Sequence, residues 1–405
     1  PSINRQIEKN EVFNSSFTGL SIYNVQKEKF VYNYNANKYF TPASNIKLLT
    51  FYAGLKELGD SIPGLTYKIK GDSLIFSATG DPSFLNRKWE NSEVFQFLKN
   101  SQKDLYYLKS SSNPPKLGSG WAWDDYNYSF SAEKSVFPIY GNTVRFNYQN
   151  DNLKVRPELF LDSTRIQSSN NKISLSRSFD TNQFIFDKEG NEDFERSIPF
   201  HTSEELSIAL LEDTLRKNIK ILTAVSKQPK YILYSIPADS LYKKMLLESD
   251  NFIAEQILLM ISNQLSGDFN SEKVIEHIQK NHLNDLSDTI YWVDGSGLSR
   301  YNLATPRSMV EIFKKIHDIK GFNALTKMLP NGGVSGTLKD YFDAQKIYII
   351  AKTGSLRNNF SLSGYIISEK NELLIFSFMN SNYTATSQSL KKEMEKILKY
   401  IRRRY

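Results

Sequence analysis

The sequence predicts a mixed α/β (α+β) protein in which a large β-rich insertion interrupts a helix-and-strand domain. Three observations predict it. A hairpin-like pair of runs and a helix-forming stretch fill the first 60 residues. Short strand-like runs then alternate with polar turns from about Ser61 to Tyr234, and helical periodicity returns at Ser240.

In order, Gly19–Val25 and Phe30–Tyr34 alternate or are aromatic-rich, with Lys27-Glu28-Lys29 as the turn of a hairpin. Thr41 is a helix cap by type and Pro42 suits a first turn, so a helix is expected from there to about Gly59-Asp60. Strand-like runs follow at Thr66–Lys70, Ser73–Ser77, Lys172–Ser176, Phe184–Phe186 and Tyr231–Tyr234, and 114–120 reads as a loop. Leu241, Met245, Phe252, Ile253, Ile257 and Met260 share one helical face, broken at Ser249-Asp250-Asn251, residue types that favour caps and turns. A loop at Asp294–Arg300, a helix from about Pro306 to Ile319 and a turn at Asn331-Gly332-Gly333 come next. Ile347–Ala351 reads as a buried strand, Leu362–Ile367 and Leu373–Met379 as a hairpin, and 387–402 as a final helix. The expected division is 1–60 with 236–405 as one domain, 61–148 with 223–235 as a second, and 149–222 as a small β-rich third.

The chain has 405 residues, enough for a large core and more than one domain. With no cysteine, disulfide and thiolate chemistry are excluded. The net charge is +7, but the only dense basic run is Arg402-Arg403-Arg404. Nucleic-acid binding is therefore not expected, while attraction to an anionic polymer such as a cell wall fits better. No apolar run approaches a membrane span, and peripheral membrane contact is not indicated. There is no signal-peptide pattern, yet the chain begins at Pro1 rather than Met, so it is expected to be either processed or trimmed.

Chemistry concentrates in three short motifs: Ser44-x-x-Lys47, Ser249-Asp250-Asn251 and Lys352-Thr353-Gly354. Residues three apart on a helix share a face, so Lys47 can take the proton of Ser44 if its pKa is lowered. Alone, the first motif also fits a capped helix with a solvated lysine. All three in this order make a serine acyl-transfer site, with Lys352 helping to keep Lys47 neutral and Ser249 relaying a proton. Asn251 is placed to bond a substrate amide, and Lys352, Thr353, Gly354 and Ser355 suit a substrate carboxylate at a strand end. The backbone N–H groups of Ser44 and Ser355 are the expected oxyanion hole.

With Gly80-Asp81-Pro82-Ser83, Gly120–Asp125 followed by Phe130-Ser131, Asp294–Arg300, and Leu329-Pro330 before Gly336-Thr337-Leu338, the chain resembles the class C low-molecular-mass penicillin-binding proteins. These form a D-alanyl-D-alanine carboxypeptidase/endopeptidase family with a large insertion between the first two motifs. The resemblance spans most of the chain and implies an antiparallel sheet flanked by helices, a serine β-lactamase/penicillin-binding-protein-like transpeptidase fold built from both chain ends. It implies hydrolysis of peptidoglycan stem peptides, binding of β-lactams, a periplasmic or extracytoplasmic location, and no metal or organic cofactor. It also implies a side-chain subsite at Asp125 with Phe130 beside it and Arg300 lining it. Arg357, two residues after Ser355, stands where the family often carries Gln.

Other readings stand beside these. Asp124-Asp125 also fits a solvated turn or cap, Trp121 and Trp123 read as core, and Asp294–Arg300 also fits a purely structural turn. The four histidines are dispersed without metal-like spacing. A β-lactamase or esterase of the same superfamily, or a non-catalytic wall-binding scaffold, are the alternatives; intact catalytic side chains weigh against the scaffold.

Overall fold

The structure, a computed structural model, describes residues 2–90, 93–169, 172–188 and 193–405. Helices α1 (Ile3–Glu8) and α2 (Glu11–Asn14) precede the hairpin β1 (Phe17–Asn24) and β2 (Lys29–Tyr34), and a 3-10 turn at Ala43–Ile46 runs into α3 (Lys47–Glu57). Next come β3 (Ser61–Lys70), β4 (Ser73–Ala78), α4 (Glu93–Asn100), β5 (Asp104–Leu108), β6 (Thr143–Gln149), β7 (Asn152–Arg156), β8 (Thr164–Gln167), β9 (Ser174–Arg177), β10 (Phe184–Asp187) and β11 (Phe194–Pro199). They are followed by α5 (Glu204–Leu215), β12 (Ile219–Leu222) and β13 (Tyr231–Pro237). The remainder is α6 (Ala238–Glu248), α7 (Asn251–Ser266), α8 (Ser271–His282), α9 (Pro306–Met328), β14 (Ile349–Leu356), β15 (Asn359–Ile367), β16 (Leu373–Ser381) and α10 (Ser387–Arg404).

One five-stranded sheet, in the order β14-β15-β16-β1-β2, draws strands from both ends of the chain, and every pairing in it is antiparallel. All but the edge strand β2 are buried on both faces, because alternate side chains enter different cores. Ile349, Ala351, Leu20, Ile22, Phe376 and Phe378 join α1, α2 and the apolar stripe Leu390, Met394, Ile397, Leu398 and Ile401 of α10. On the opposite face Ile350, Tyr365, Ile375 and Met379 meet the buried sides of α3, α6, α7 and α9.

The intervening chain makes a sheet ordered β12-β5-β4-β3-β13 and two three-stranded sheets, β11-β6-β7 and β8-β10-β9. One apolar cluster joins Leu74 and Phe76 to Val144, Phe146, Phe184, Phe186 and Leu211, and reaches Leu259 of α7.

The structure departs from the expectations in several places. Helices α4 and α5 lie in a stretch expected to be strands and turns; in α4 the only apolar groups fully covered, Val94 and Leu98, are one turn apart. The sheet they accompany is mixed, with β5 parallel to both β4 and β12. The helix expected from about Pro306 to Ile319 does break there, at Gly321, whose φ 74° and ψ 164° are not helical, and a second helical stretch that the sequence reading lacked runs on to Met328. Helices α1 and α2 at the N-terminus had no counterpart in the reading of the sequence. Among the described residues, no helix is long and apolar enough to cross a membrane.

Candidate active site

Ser44 lies in the 3-10 turn ahead of α3 rather than inside an α-helix capped by Thr41. Pro42 leads the turn without a side-chain cap, and Ala43 adopts φ 48°, an unfavourable value for a residue with a Cβ. In a 3-10 turn residues three apart eclipse, so Ser44 and Lys47 still face the same way. The turn is pinned from β14 and β15: the Asn45 amide donates to the carbonyls of Lys352 and Ser361, 3.2 Å each, and Ser361 Oγ donates to the Pro42 carbonyl at 3.0 Å. Two glycines let backbone press against it. A Cβ on Gly297 (φ 80°) would stand 1.9 Å from the Ala43 carbonyl oxygen, and one on Gly354 would stand 2.3 Å from that of Pro42.

Lys47 is fully buried, and its Nζ reaches Ser44 Oγ at 3.0 Å, Asn251 Oδ1 at 2.6 Å and the Ser296 carbonyl at 2.6 Å. Each of these partners is neutral; among the described residues no carboxylate lies within 4.0 Å of this ammonium. Burial therefore pulls its pKa down to about 8, against the opposing charges of Asp294, Asp250 and Glu255. A lysine that sheds its proton near neutral pH beside a serine hydroxyl can act as that serine's base.

Lys352, equally buried on β14, donates to Ser249 Oγ at 2.8 Å and to the Thr353 carbonyl at 2.6 Å. Burial holds its pKa well below the ordinary lysine value, and the charge of Lys47 pushes it lower still. The two ammonium groups repel one another, so charge on either disfavours charge on the other. Thr353 pairs its hydroxyl with that of Thr337 at 2.6 Å, Gly354 is the close-approach glycine, and Ser355 is exposed beyond them.

Ser249 ends α6 in the left-handed region (φ 56°), and Asp250 caps α7 by accepting the Ile253 N–H at 2.9 Å. This break between helices turns Ser249 and Asn251 toward the lysines. Lys88, from the insertion, pairs with both Glu248 and Asp250 and braces the break.

The 294–300 loop is organised by Asp294. Its carboxylate accepts from the N–H groups of Gly297 and Ser299 and the Asn302 amide at 2.8 Å, and from Ser296 Oγ at 3.2 Å. The Trp121 indole of the insertion donates to it as well, at 2.8 Å. Glu255, held above the usual carboxylate range by burial and by Asp294, accepts the Ser296 N–H at 2.8 Å. The loop is thereby fixed with the Ser296 carbonyl on Lys47. Trp121 is a tether rather than core, and Trp123 is 74% exposed where it opens the 3-10 turn Trp123–Asn127, meeting only the exposed Phe179 ring edge-on among the described aromatic contacts.

Phe130 reaches the centre through its backbone: its carbonyl accepts from the Asn251 amide at 2.9 Å, while its ring stacks on Tyr128. A cavity of about 490 Å³ opens here, lined by Phe130, Ser249, Asn251, Lys88, Arg145 and Arg156 among others. Asp125 is half-buried in the 3-10 turn Trp123–Asn127; burial and Asp124 raise its pKa while Arg300 lowers it, so Arg300 acts on it electrostatically. Arg300 also donates to the Arg357 carbonyl at 3.4 Å, and both arginines are exposed. Asp125, Arg300 and Arg357 make no hydrogen bond to the serine and lysine cluster.

Reading the sequence overlooked Asn45, the Ser296 carbonyl, Trp121 and Lys88. Asn45 and Ser296 sat inside quoted motifs; Lys88 had no local signal. The histidines are less scattered than their spacing implied, since His277 and His282 converge on Glu57.

A model of the D-Ala-D-Ala carboxypeptidase 3 (S13) family matches residues 2–404. The chain is 23% identical to the D-alanyl-D-alanine carboxypeptidase DacB of Haemophilus influenzae, covering 92% of this chain and 87% of that one. It is 24% identical to a D-alanyl-D-alanine carboxypeptidase of an Actinomadura species, over 91% and 78% of the two chains. The crystal structure of penicillin binding protein 4 (dacB) from H. influenzae superposes with a TM-score of 0.77 at 22% identity, covering 99% and 98%. The predatory peptidoglycan endopeptidase Bd3459 of Bdellovibrio bacteriovorus is more distant, with a TM-score of 0.53 at 15% identity over 95% and 91%. The fold is the one these structures share.

Proposed function

The chain belongs to the D-Ala-D-Ala carboxypeptidase 3 (S13) family, and from that premise we propose that it hydrolyses peptidoglycan stem peptides through an acyl-enzyme on Ser44. The observation that carries the assignment is the buried Lys47 amine, 3.0 Å from Ser44 Oγ with neutral partners only. Lys47 takes the proton as Ser44 Oγ adds to the carbonyl carbon of the scissile bond, and the N–H groups of Ser44 and Ser355 receive the oxyanion. Ser249 passes a proton to the departing amine, which leaves as D-alanine or as the amine of a cross-linked neighbour. Water then attacks the ester, releases the shortened peptide and returns the proton to Ser44.

Lys352, Thr353 and Ser355 hold the terminal carboxylate, with Gly354 giving close passage. A carboxylate at that place favours the charged form of Lys352, and charge on Lys352 in turn keeps Lys47 neutral. Asn251 orients the substrate amide. Asp125, with Phe130, Arg300 and Arg357 around it, forms the side-chain subsite. β-Lactams acylate the same serine. The reading places the protein outside the cytoplasm, in the periplasm or its equivalent.

The direct test is release of D-alanine from a stem pentapeptide. Activity is expected from the parent chain and loss of at least about a thousandfold in kcat from Ser44→Ala, with folding retained. Undiminished release by Ser44→Ala would remove the serine from the mechanism.

A further inference from the structure

Glu57 closes α3, and His277 and His282 lie on α8, 220 and 225 residues further along. Both Nε2 atoms stand 3.1 Å from the same oxygen, Glu57 Oε1, and the three ligand atoms all lie within 4.8 Å of one another. We propose that Glu57, His277 and His282 form a binding site for a divalent transition-metal ion, with zinc as the best match.

A tetrahedral zinc with bonds of about 2.0–2.1 Å separates its ligand atoms by roughly 3.4 Å. The two histidine–carboxylate spacings of 3.1 Å need an adjustment of only a few tenths of an ångström, and the two imidazoles, within 4.8 Å of each other, need to close by at most about 1.4 Å, within reach of side-chain rotation. Two neutral imidazoles and one carboxylate suit zinc, and leave the fourth position to water. The three side chains are 15–35% exposed, so an ion can enter from solvent. A second observation concerns the outer nitrogen of His277. The Asn281 side chain lies 3.0 Å from Nδ1 through its amide end, and turning that amide over presents its oxygen instead. The ring then donates Nδ1–H outward and directs the Nε2 lone pair at the ion, the usual arrangement behind a metal-ligating histidine.

The site is structural. Glu57 lies ten positions after Lys47 along α3, a distance of about 15 Å at helical rise, so the ion does not touch the acyl-transfer chemistry. It would staple the far end of the helix that carries Lys47 to α8, across the whole length of the insertion. Binding to the folded chain alone would raise its melting temperature.

The experiment is titration of the chelator-stripped full chain with Zn²⁺ by calorimetry and with Co²⁺ by visible absorption. One equivalent of Zn²⁺ is expected to bind and to raise the melting temperature, and Co²⁺ is expected to give the intense bands of a tetrahedral centre. Glu57→Gln should weaken the affinity at least about tenfold. The double variant His277→Ala/His282→Ala should lose both the binding and the thermal shift while melting like the parent in chelator. Absence of saturable binding, or unchanged affinity in the double variant, would overturn the site. Should the double variant fail to fold, the parent's cobalt spectrum decides: octahedral, water-like bands would overturn it.

Discussion

At the scale of single residues, the account rests on a lysine that burial makes a base. The folded pKa of Lys47 is about 8 against an ordinary value of 10.5. Only the neutral amine can accept the Ser44 proton. Acylation by a fluorescent penicillin should therefore rise roughly tenfold per pH unit below about pH 8 and level off above it. A profile flat from pH 6 to 9 would contradict the assignment. The same shift has a stability sign: between pH 8 and 10.5 the unfolded chain still holds a proton that the folded chain has shed. Lys47 thus makes folding more favourable as pH rises through that window. Lysine, serine and asparagine were legible because they occur in short motifs with fixed chemistry. Burial was not, since two of the groups that meet the Lys47 amine, Asn251 and the Ser296 carbonyl, come from remote parts of the chain.

At the scale of elements, the site is a turn clamped between a strand and a loop. Gly297 and Gly354 allow the clamp, and the sequence displayed both without showing what they touched. Gly297→Ala would drive a Cβ into the Ala43 carbonyl and strain a backbone at φ 80°. It is expected to cost about 1–3 kcal/mol from strain alone and to slow acylation at least a hundredfold. Gly59→Ala is the control. It has a similar φ, 73°, with no atom within 4 Å of the added Cβ, so it should lose stability of order 1 kcal/mol and keep its acylation rate. Equal acylation in both variants, read by labelling rate beside thermal melting, would mean the clamp does not position Ser44. Elements with clean periodicity, such as the β15–β16 hairpin and α10, were readable in sequence. The overlooked α4 carries Val94, Phe95, Phe97 and Leu98 at i, i+1, i+3 and i+4, one apolar helical face that was present in the sequence but went unread among the strand-like runs around it.

At the scale of the whole molecule, the insertion is part of the site rather than an appendage. Phe130 holds Asn251, Trp121 holds Asp294, and Lys88 holds the α6–α7 break. The gross plan was visible because helical periodicity stops and resumes around the insertion. These cross-links were not, since each joins residues more than 100 positions apart in sequence. The central claim is that this assembly acylates at Ser44 and releases the acyl group slowly. Its most direct test is intact-protein mass spectrometry over time after mixing with benzylpenicillin, followed by peptide mapping. A single adduct on the Ser44 peptide that persists for many minutes is the predicted result. An adduct that clears within seconds would make the protein a β-lactamase, and none at all, or one on another residue, would contradict the account.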